Sequence, residues 1–315
     1  MANKRKIYFR ADAGPNVGYG HYIRSLALAD MLKQDFDCTM FTQTPTEYQL
    51  REAEGICAIV ALPKDDSKFD KFLEYLKGDE IVVLDNYFFT TEYQRAIKAK
   101  GCQLVCIDDM HDKHYVADMI INHGAVRPED FDAEPYTRFC LGYEYALLRR
   151  PFLEHEDGAH KKGVYTICFG GSDANNLTKK YIDLLLANRQ VKQIYAVVGD
   201  GYQYMETITS YPEVQVKKNQ TAKQMAAILL ESEAILCSAS SICMEAMACG
   251  TKVYAGWYVD NQKAGYKHAI EEQLFLPLGY LLEETNIPGE RVDWDHRNLY
   301  NKGIISRYIN TFKSL

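Results

Sequence analysis

Residues 6–32 read KIYFRADAGPNVGYGHYIRSLALADML, a strand-like run followed by a turn-rich loop and a helical stretch. Gly18 and Gly20 let the loop backbone approach a ligand closely, and His21 lies where the loop becomes the helix. The start of a helix offers unpaired N–H groups and the positive end of its dipole, and an imidazole titrates near neutral pH. The segment therefore predicts a strand–loop–helix unit with a phosphate-binding or catalytic position at His21.

Two alternatives compete for this loop. A dinucleotide fingerprint would need a third glycine at position 23, where the chain has Ile23, so the spacing does not favour a dinucleotide site. The loop is also compatible with a tight turn in which His21 only caps the helix. The loop taken alone does not separate the capping role from the catalytic one.

Length and charge bound the class of protein. At 315 residues the chain is about twice the usual single-domain size, so two domains are expected, each large enough for its own core. The 43 acidic residues exceed the 36 lysines and arginines, which gives a formal net charge of −7. Binding to a phosphate backbone requires a basic excess, so no nucleic acid partner is expected.

The cysteines and the N-terminal residues indicate the cellular compartment in which the protein is expected. The nine cysteines are scattered and form no C-x-x-C pair, which predicts buried, reduced thiols in a cytoplasmic protein. The apolar run after Lys6 lasts three residues before Arg10, too short for a signal peptide or a membrane span. We therefore expect no membrane span.

Short apolar, β-branched runs alternate with helix-compatible stretches, a pattern that predicts parallel sheets wrapped by helices. The pattern pauses over residues 127–162, which hold three prolines and many charges. We therefore predict two doubly wound α/β domains, 1–155 and 156–315, with a ligand in the crevice between them. The predicted strands are 6–10, 38–41, 57–60, 81–84, 103–107, 119–121, 164–169, 193–198, 214–216, 234–237 and 252–254.

A second glycine loop precedes a helical run in the second half. Gly171 and Ser172 follow a predicted strand, and the helical run begins at Leu177. Backbone N–H groups and the serine hydroxyl are candidates for contacts to phosphate or sugar oxygens. The alternative is a plain strand-to-helix turn in which Asp173 caps the helix.

A third loop, rich in serine, follows the strand predicted at 234–237. Ser240 and Ser241 lead into a helical stretch, and Glu245 lies one turn further on the same face. A carboxylate suits a neutral diol such as that of a ribose, and small loop residues leave room for a ligand. The alternative is that the serines are caps and Glu245 is a solvated helix residue.

Acidic pairs close two strands of the first half. Asp85 and Tyr87 follow one strand, and Asp108 and Asp109 follow the next. Strand ends in a parallel sheet face the ligand crevice, so a tyrosine hydroxyl there is a candidate substrate contact. Without clustered histidines or further well-spaced acids, capping of turns is favoured over a divalent metal site.

Taken together, these motifs resemble the pseudaminic acid biosynthesis hydrolase family, which removes UDP from UDP-2,4-diacetamido-2,4,6-trideoxy-β-L-altropyranose. The similarity spans roughly residues 6 to 275 with the motifs in the family order. One position departs from the pattern, since Asn86 stands where a histidine is expected. The segments that carry the resemblance are 9–12, 18–29, 85–87, 107–109, 141–149, 170–173 and 240–245.

The resemblance implies a GT-B-like fold of two Rossmann-like domains with the site in the cleft between them. It implies a metal-independent, inverting hydrolysis of a small-molecule UDP-sugar without a cofactor, in which His21 is the general base. The implied substrate contacts are Asp12, Gly20, Tyr87 and Asn261. The implied nucleotide contacts are Gly171, Ser172, Ser240, Ser241 and Glu245, with Glu245 on the ribose.

Two other functions remain open at this point. A GT-B glycosyltransferase would pass the sugar of a UDP-amino sugar to an acceptor instead of water, and fold alone cannot separate the two. A non-catalytic UDP-sugar-binding protein would hold the ligand without turnover. A monomer is expected because no extended heptad or apolar stripe asks for a partner.

Overall fold

The computed structural model describes residues 4–14, 18–124, 126–156, 158–188, 190–283, 286–289, 300 and 303–315. The chain divides into two compact units. The first comprises Met1–Arg150 with Lys302–Leu315, and the second comprises Pro151–Asn301. Each unit is a parallel sheet with helices, so the predicted α/β architecture is confirmed.

The first unit is built on a seven-stranded parallel sheet in the order β3-β2-β1-β4-β5-β7-β9, with β6 and β8 in a small ribbon. The strand β4 is buried throughout, as expected for a parallel sheet covered on both faces. Its elements are β1 Lys6–Arg10, α1 Gly20–Leu32, β2 Asp37–Gln43, α2 Glu47–Ala53, β3 Ala58–Leu62, α3 Ser67–Tyr75, β4 Ile81–Leu84, α4 Thr91–Ala99, β5 Gln103–Ile107, β6 His114–Tyr115, β7 Met119–Asn122, β8 Asp132–Ala133 and β9 Arg138–Leu141.

The second unit repeats this plan with six parallel strands in the order β12-β11-β10-β13-β14-β15. Its core is formed by apolar side chains such as Phe169, Tyr181, Ile194 and Leu236. Its elements are β10 Lys161–Cys168, α5 Leu177–Asn188, β11 Gln193–Val198, α6 Met205–Ile208, β12 Val214–Lys218, α7 Ala222–Glu231, β13 Ser232–Ser238, α8 Ser241–Ala248, β14 Lys252–Trp257, α9 Asp260–Glu271 and β15 Leu276–Tyr280.

The last helix, α10 (Gly303–Lys313), belongs to the first unit, whereas the sequence assigned it to the second. Tyr308 is fully buried, and its hydroxyl donates to the Tyr145 carbonyl at 2.5 Å. Phe312 is likewise buried, with its ring centroid 6.3 Å from that of Phe36. The apolar face of this helix therefore packs on the first unit. The position of α10 at the end of the sequence, after the second unit, does not indicate this.

Strand register brings the site-forming residues of the first unit to one edge. Arg10 pairs with Leu84, Leu84 with Cys106, and Ile107 with Ile121. Because all these strands are parallel, the residues that follow β1, β4, β5 and β7 emerge at the same carboxyl-terminal edge. α1 begins at that edge too, since it follows β1 along the chain.

A buried ion cluster joins the end of β1 to α3. Arg10 and Asp12 are fully buried and form a two-pronged pair, in which Arg10 Nη2 donates to Asp12 Oδ2 at 2.9 Å. Lys68 Nζ donates to the same oxygen at 2.9 Å, and the Gln43 amide donates to Asp12 Oδ1 at 2.8 Å. Burial alone would raise the pKa of Asp12, but the hydrogen bond and charge of Arg10 and the hydrogen bonds from Lys68 and the Gln43 backbone hold that pKa below its usual range.

Replacing Asp12 by alanine is expected to lower the free energy of unfolding by about 3–5 kcal/mol, because two buried cations lose their partner. A depressed carboxyl pKa contributes stability that is present above pH ~4 and lost as the pH falls through the folded value. The wild type should therefore lose stability on acidification more steeply than Asp12→Ala. Urea unfolding at several pH values measures both effects.

A matched control for that experiment is Asp132→Asn, since the Asp132 side chain is 75% exposed and pairs only at the surface. Its unfolding free energy should change by less than about 1 kcal/mol. Equal losses in the two variants would contradict a structural role of the buried cluster.

Candidate active site

His21 is the second residue of α1 and pairs with the carboxylate that follows β4. Its Nδ1 lies 2.7 Å from Asp85 Oδ1, and Asp85 is fully buried while 11% of the His21 side chain is exposed. Nδ1 also lies 3.1 Å from Arg24 Nη2. The shorter contact is the one to the carboxylate, where a nitrogen lone pair would be repulsive, so we assign the proton to Nδ1, which donates it to Asp85. The lone pair is then on Nε2, which makes His21 an oriented base.

Arg24, one helical turn after His21, holds two carboxylates at once. Its Nε donates to Asp85 Oδ2 at 2.7 Å and its Nη2 to Asp85 Oδ1 at 2.6 Å. Its Nη1 and Nη2 donate to Asp109 at 3.0 and 2.9 Å. Ser25 completes the set, with its hydroxyl donating to Asp85 Oδ2 at 3.0 Å. Side chains of α1 therefore hydrogen-bond to both carboxylate oxygens of Asp85.

Tyr87 covers the histidine from the loop after β4. Its ring meets the His21 ring edge-on, with centroids 4.5 Å apart and planes at 84°. Its hydroxyl donates to Asp109 Oδ2 at 3.3 Å, and 44% of the residue is exposed. Burial of the hydroxyl and the charge of Asp109 raise the pKa of Tyr87 to about 12, so the phenol remains a donor at neutral pH.

The start of α1 is open at Gly20. Ile23 is the residue whose N–H makes the first helical bond, to the Tyr19 carbonyl at 2.9 Å, and no side chain of the described residues caps the helix. A Cβ on Gly20 would meet no atom within 4 Å, so the fold itself does not demand glycine there. The first N–H groups of α1 are therefore not capped by a side chain of the described residues, as is common where a helix start binds an anion.

Asp12 occupies a different position from the predicted substrate contact. It is fully buried and both of its carboxylate oxygens are taken by the ion cluster, so its side chain has no room for a sugar. Asn86 is buried beside it and is bonded to the Asp12 backbone in both directions, at 2.7 and 3.3 Å. Together they brace the loop after β1 against the loop after β4.

The predicted contact Asn261 lies in α9, where the side chain of that residue is outside the described part of the chain. Gln262 next to it accepts from the Tyr258 amide at 3.2 Å, which ties the start of α9 to the loop before it.

The two predicted nucleotide loops of the second unit differ at their helix starts. In the first, Asp173 adopts a positive φ of 36° and accepts from the amides of Leu177 and Thr178 at 2.9 and 2.7 Å. The capping alternative is thus present here, and the carboxylate occupies the amides that would otherwise face a phosphate. Gly171 and Ser172 are exposed in this loop.

The Gly171 loop is also braced by a second glycine. The Gly199 amide donates to the Gly171 carbonyl at 2.9 Å. A Cβ on Gly199 would lie 2.7 Å from that carbonyl oxygen, closer than any real contact, so glycine is required at position 199. The two loops therefore form one packed edge of the sheet.

The serine loop leaves its helix start uncapped. Ser240 is the residue before α8, and no side chain of the described residues caps that helix. The first helical amide bond runs from Cys243 to the Ser240 carbonyl at 3.0 Å, so the amides of Ser241 and Ile242 precede it. Ser240 and Ser241 are exposed, whereas Glu245 is 7% exposed and so is buried, not solvated.

Several site residues were missed from the sequence as functional groups. Asp85 and Asp109 were interpreted as turn caps, and Arg24 and Ser25 received no role. The available signal was their helical spacing, because residues three and four after His21 share its face of α1. His123 was missed as well, and it follows β7 just as Asp109 follows β5.

Among the described residues, no group of three or more histidine, cysteine, aspartate or glutamate side chains is placed to hold a metal ion. The nine cysteines are free thiols. In the same described part of the chain, no helix is long and apolar enough to cross a membrane.

No protein-family model matches the chain. It is similar to the UDP-2,4-diacetamido-2,4,6-trideoxy-beta-L-altropyranose hydrolase of Campylobacter jejuni, at 25% identity over 272 residues, covering 82% of this chain and 94% of that protein. It is also 26% identical over 285 residues to the spore coat polysaccharide biosynthesis protein SpsG of Bacillus subtilis, covering 85% of this chain and 82% of that protein. The resemblance predicted from the motifs is confirmed by this similarity.

Solved structures share the fold. Arabidopsis thaliana UGT89C1 complexed with UDP superposes with a TM-score of 0.64 at 10% identity, covering 99% of this chain and 94% of that one. MurG of Acinetobacter baumannii gives 0.62 at 13% identity, covering 99% and 100%. The two parallel-sheet units therefore form a fold of the GT-B type, as predicted.

Proposed function

We propose that this protein is an enzyme that acts on a UDP-sugar, and specifically a hydrolase that releases UDP from a UDP-2,4-diacetamido-2,4,6-trideoxy sugar. The observation that carries the proposal is the His21–Asp85 pair at the open start of α1, with Nδ1 and Oδ1 2.7 Å apart. It is supported by the similarity to the Campylobacter jejuni hydrolase. The altro isomer is the proposed substrate on that similarity, and pseudaminic acid biosynthesis the proposed pathway.

In the proposed reaction His21 Nε2 takes a proton from water as the water oxygen bonds to the anomeric carbon. The bond between that carbon and the UDP oxygen breaks, UDP leaves with the bonding pair, and attack from the opposite face inverts the anomeric centre. Asp85 stabilises the imidazolium that forms. General-base catalysis of this kind contributes about 10²- to 10⁴-fold.

The departing diphosphate needs stabilisation too. We propose that the uncapped start of α8, with the amides of Ser241 and Ile242 and the hydroxyl of Ser240, faces the UDP phosphates. The start of α5 is a poorer candidate because Asp173 already neutralises it. Gly171 and Ser172 remain proposed nucleotide contacts through the exposed part of their loop, and Glu245 remains the proposed ribose contact.

A second candidate is a glycosyltransferase that uses a UDP-amino sugar. The solved structures that share the fold include glycosyltransferases, among them calicheamicin glycosyltransferase CalG4 with a TM-score of 0.57. A transferase needs an acceptor where the hydrolase needs only water. The two functions therefore differ in one measurable requirement.

UDP release from a panel of UDP-diacetamido-trideoxy sugars, without acceptor and with EDTA, tests the proposal. We expect release with the altro sugar in EDTA, because the base and the helix amides need no metal. Release only after an acceptor is added would favour the transferase. Tight UDP-sugar binding without release under either condition would favour a non-catalytic binding protein.

A further inference from the structure

Arg24 lies between two carboxylates in the first unit, and only one of them touches His21. Asp85 accepts from Arg24 and from His21, whereas Asp109 accepts from Arg24 and from Tyr87. The Asp109 side chain is 43% exposed, in contrast to the fully buried Asp85. Asp109 therefore reaches the histidine through its neighbours and not by direct contact.

The His21 ring lies beside two charged side chains, with Nδ1 2.7 Å from Asp85 Oδ1 and 3.1 Å from Arg24 Nη2. Arg24 is fixed in its charged form, since Asp85 and Asp109 raise its pKa well above the usual range against the opposing effect of burial. Burial would raise the pKa of Asp109, but the charge and hydrogen bonds of Arg24 lower it to about 2. At neutral pH the cluster therefore contains two negative charges and one positive charge beside the imidazole.

Two titratable side chains beside this cluster, Tyr87 and His123, are uncharged at neutral pH, whereas the Lys113 ammonium donates to the Tyr87 carbonyl at 3.0 Å and pairs with Asp112. Tyr87 is a neutral phenol, as its raised pKa requires. Burial and the charge of Arg24 lower the pKa of His123 to about 4, so this second imidazole is neutral. The Nδ1 atom of His123 is buried and has no hydrogen-bond partner among the described residues. Neither group supplies a positive charge that would compete with a protonated His21.

We propose that Asp109 is a positioning residue whose negative charge balances Arg24, so that the charge of Asp85 is left to stabilise protonated His21. The proposal rests on the proposed function of His21 as the general base. Without Asp109, the single positive charge of Arg24 would be set against Asp85 alone. The imidazolium would then lose its net attraction, and His21 would become a weaker base.

The test uses Asp109→Asn, which keeps an oxygen for Arg24 and Tyr87 but removes the charge. The acid limb of the kcat/KM profile for UDP release should move to lower pH by about one unit. The plateau should fall about three- to tenfold, as expected for a weaker base. The same shift should appear in the NMR titration midpoint of the His21 ring, assigned by the signal that is missing in His21→Gln.

Three control variants separate charge from packing. Asp109→Glu restores the charge and should restore the acid limb toward that of the wild type. Tyr87→Phe removes the hydroxyl contact but keeps both carboxylates, and Asp132→Asn removes an exposed charge of the same unit. Tyr87→Phe should leave the position of the acid limb within about 0.2 pH unit of the wild type, whatever its effect on rate, because it removes no charge. Asp132→Asn should do the same because an exposed charge is screened.

Unchanged midpoints in Asp109→Asn would overturn the proposal, as would an equal shift in Tyr87→Phe. If Asp109→Asn does not fold, Asp109→Ser serves as the second charge-removing variant. The NMR midpoint needs no substrate, so it tests Asp109 even if the wild type releases no UDP. A wild type without UDP release would refute the proposed function, and an unshifted NMR midpoint would refute the role of Asp109.

Discussion

His21→Gln is expected to lower kcat for UDP release about 10²- to 10⁴-fold, because the reaction loses the group that takes the proton from water. Glutamine keeps a polar side chain beside Asp85 but cannot accept a proton near neutral pH. The nucleotide contacts proposed for this chain lie in the second unit, so UDP affinity should change less than about threefold. Steady-state kinetics and calorimetric titration of UDP measure the two quantities.

The matched control is His114→Gln in the same unit. His114 pairs with Asp132 and Glu134 at 2.8 and 3.3 Å, neither of which bonds His21 or Arg24, and its side chain is one-third exposed. We expect its kcat to stay near that of the wild type. If His21→Gln retained more than about a tenth of wild-type kcat, the histidine would not be the base.

The fold could be predicted from the sequence because two parallel sheets impose a strong pattern. Buried strands such as β4 are short, wholly apolar runs, and helix-compatible stretches separate them. The exception is α10, whose apolar face is readable but whose partner is not. Tyr308 and Phe312 could be buried in any apolar groove of either unit. Only the tertiary structure therefore assigns the helix to the first unit.

The candidate site was predictable in part. His21 followed from its place between a glycine loop and a helix, but the partner of its Nδ1 did not. Asp12 and Asp85 both follow strands at the same edge of the sheet; the family resemblance implied Asp12 as a substrate contact, and Asp85 was interpreted as a turn cap. The structure buries Asp12 against Arg10 and Lys68 and turns Asp85 toward His21, a choice made by side-chain packing that strand spacing does not encode.

In the second unit, too, side-chain packing decides which of two predicted anion sites is open. Both predicted loops join a strand to a helix through small residues, and helix amides at such positions attract phosphate. At α5 the carboxylate of Asp173 takes the amides of Leu177 and Thr178, while α8 keeps its first amides uncapped. Whether an acidic residue folds back as a cap depends on local backbone angles, here a positive φ at Asp173.

Asp85→Asn is expected to lower kcat about 10²- to 10⁴-fold although it changes only one atom type in the side chain. The carboxylate accepts from His21, from Arg24 and from Ser25, so every lone pair it presents faces a donor. An asparagine NH₂ group would face some of these donors. The His21 ring would then rotate or adopt the other tautomer. In that tautomer the proton is on Nε2, which has no lone pair to accept a proton from water.

Asp85→Asn also removes the charge that stabilises the imidazolium. The loss of the correct tautomer and the loss of this charge act together, and a pH profile alone should not separate them. Ser25→Ala is the matched control, because it removes one hydrogen bond to Asp85 while leaving its charge and its contact with His21. We expect that control to lose less than about tenfold in kcat. Circular dichroism and UDP affinity check that Asp85→Asn is folded, since a partly buried Arg24 with one charged partner fewer destabilises the unit. Wild-type kcat in a folded Asp85→Asn would mean that water is activated by a group other than the His21–Asp85 pair.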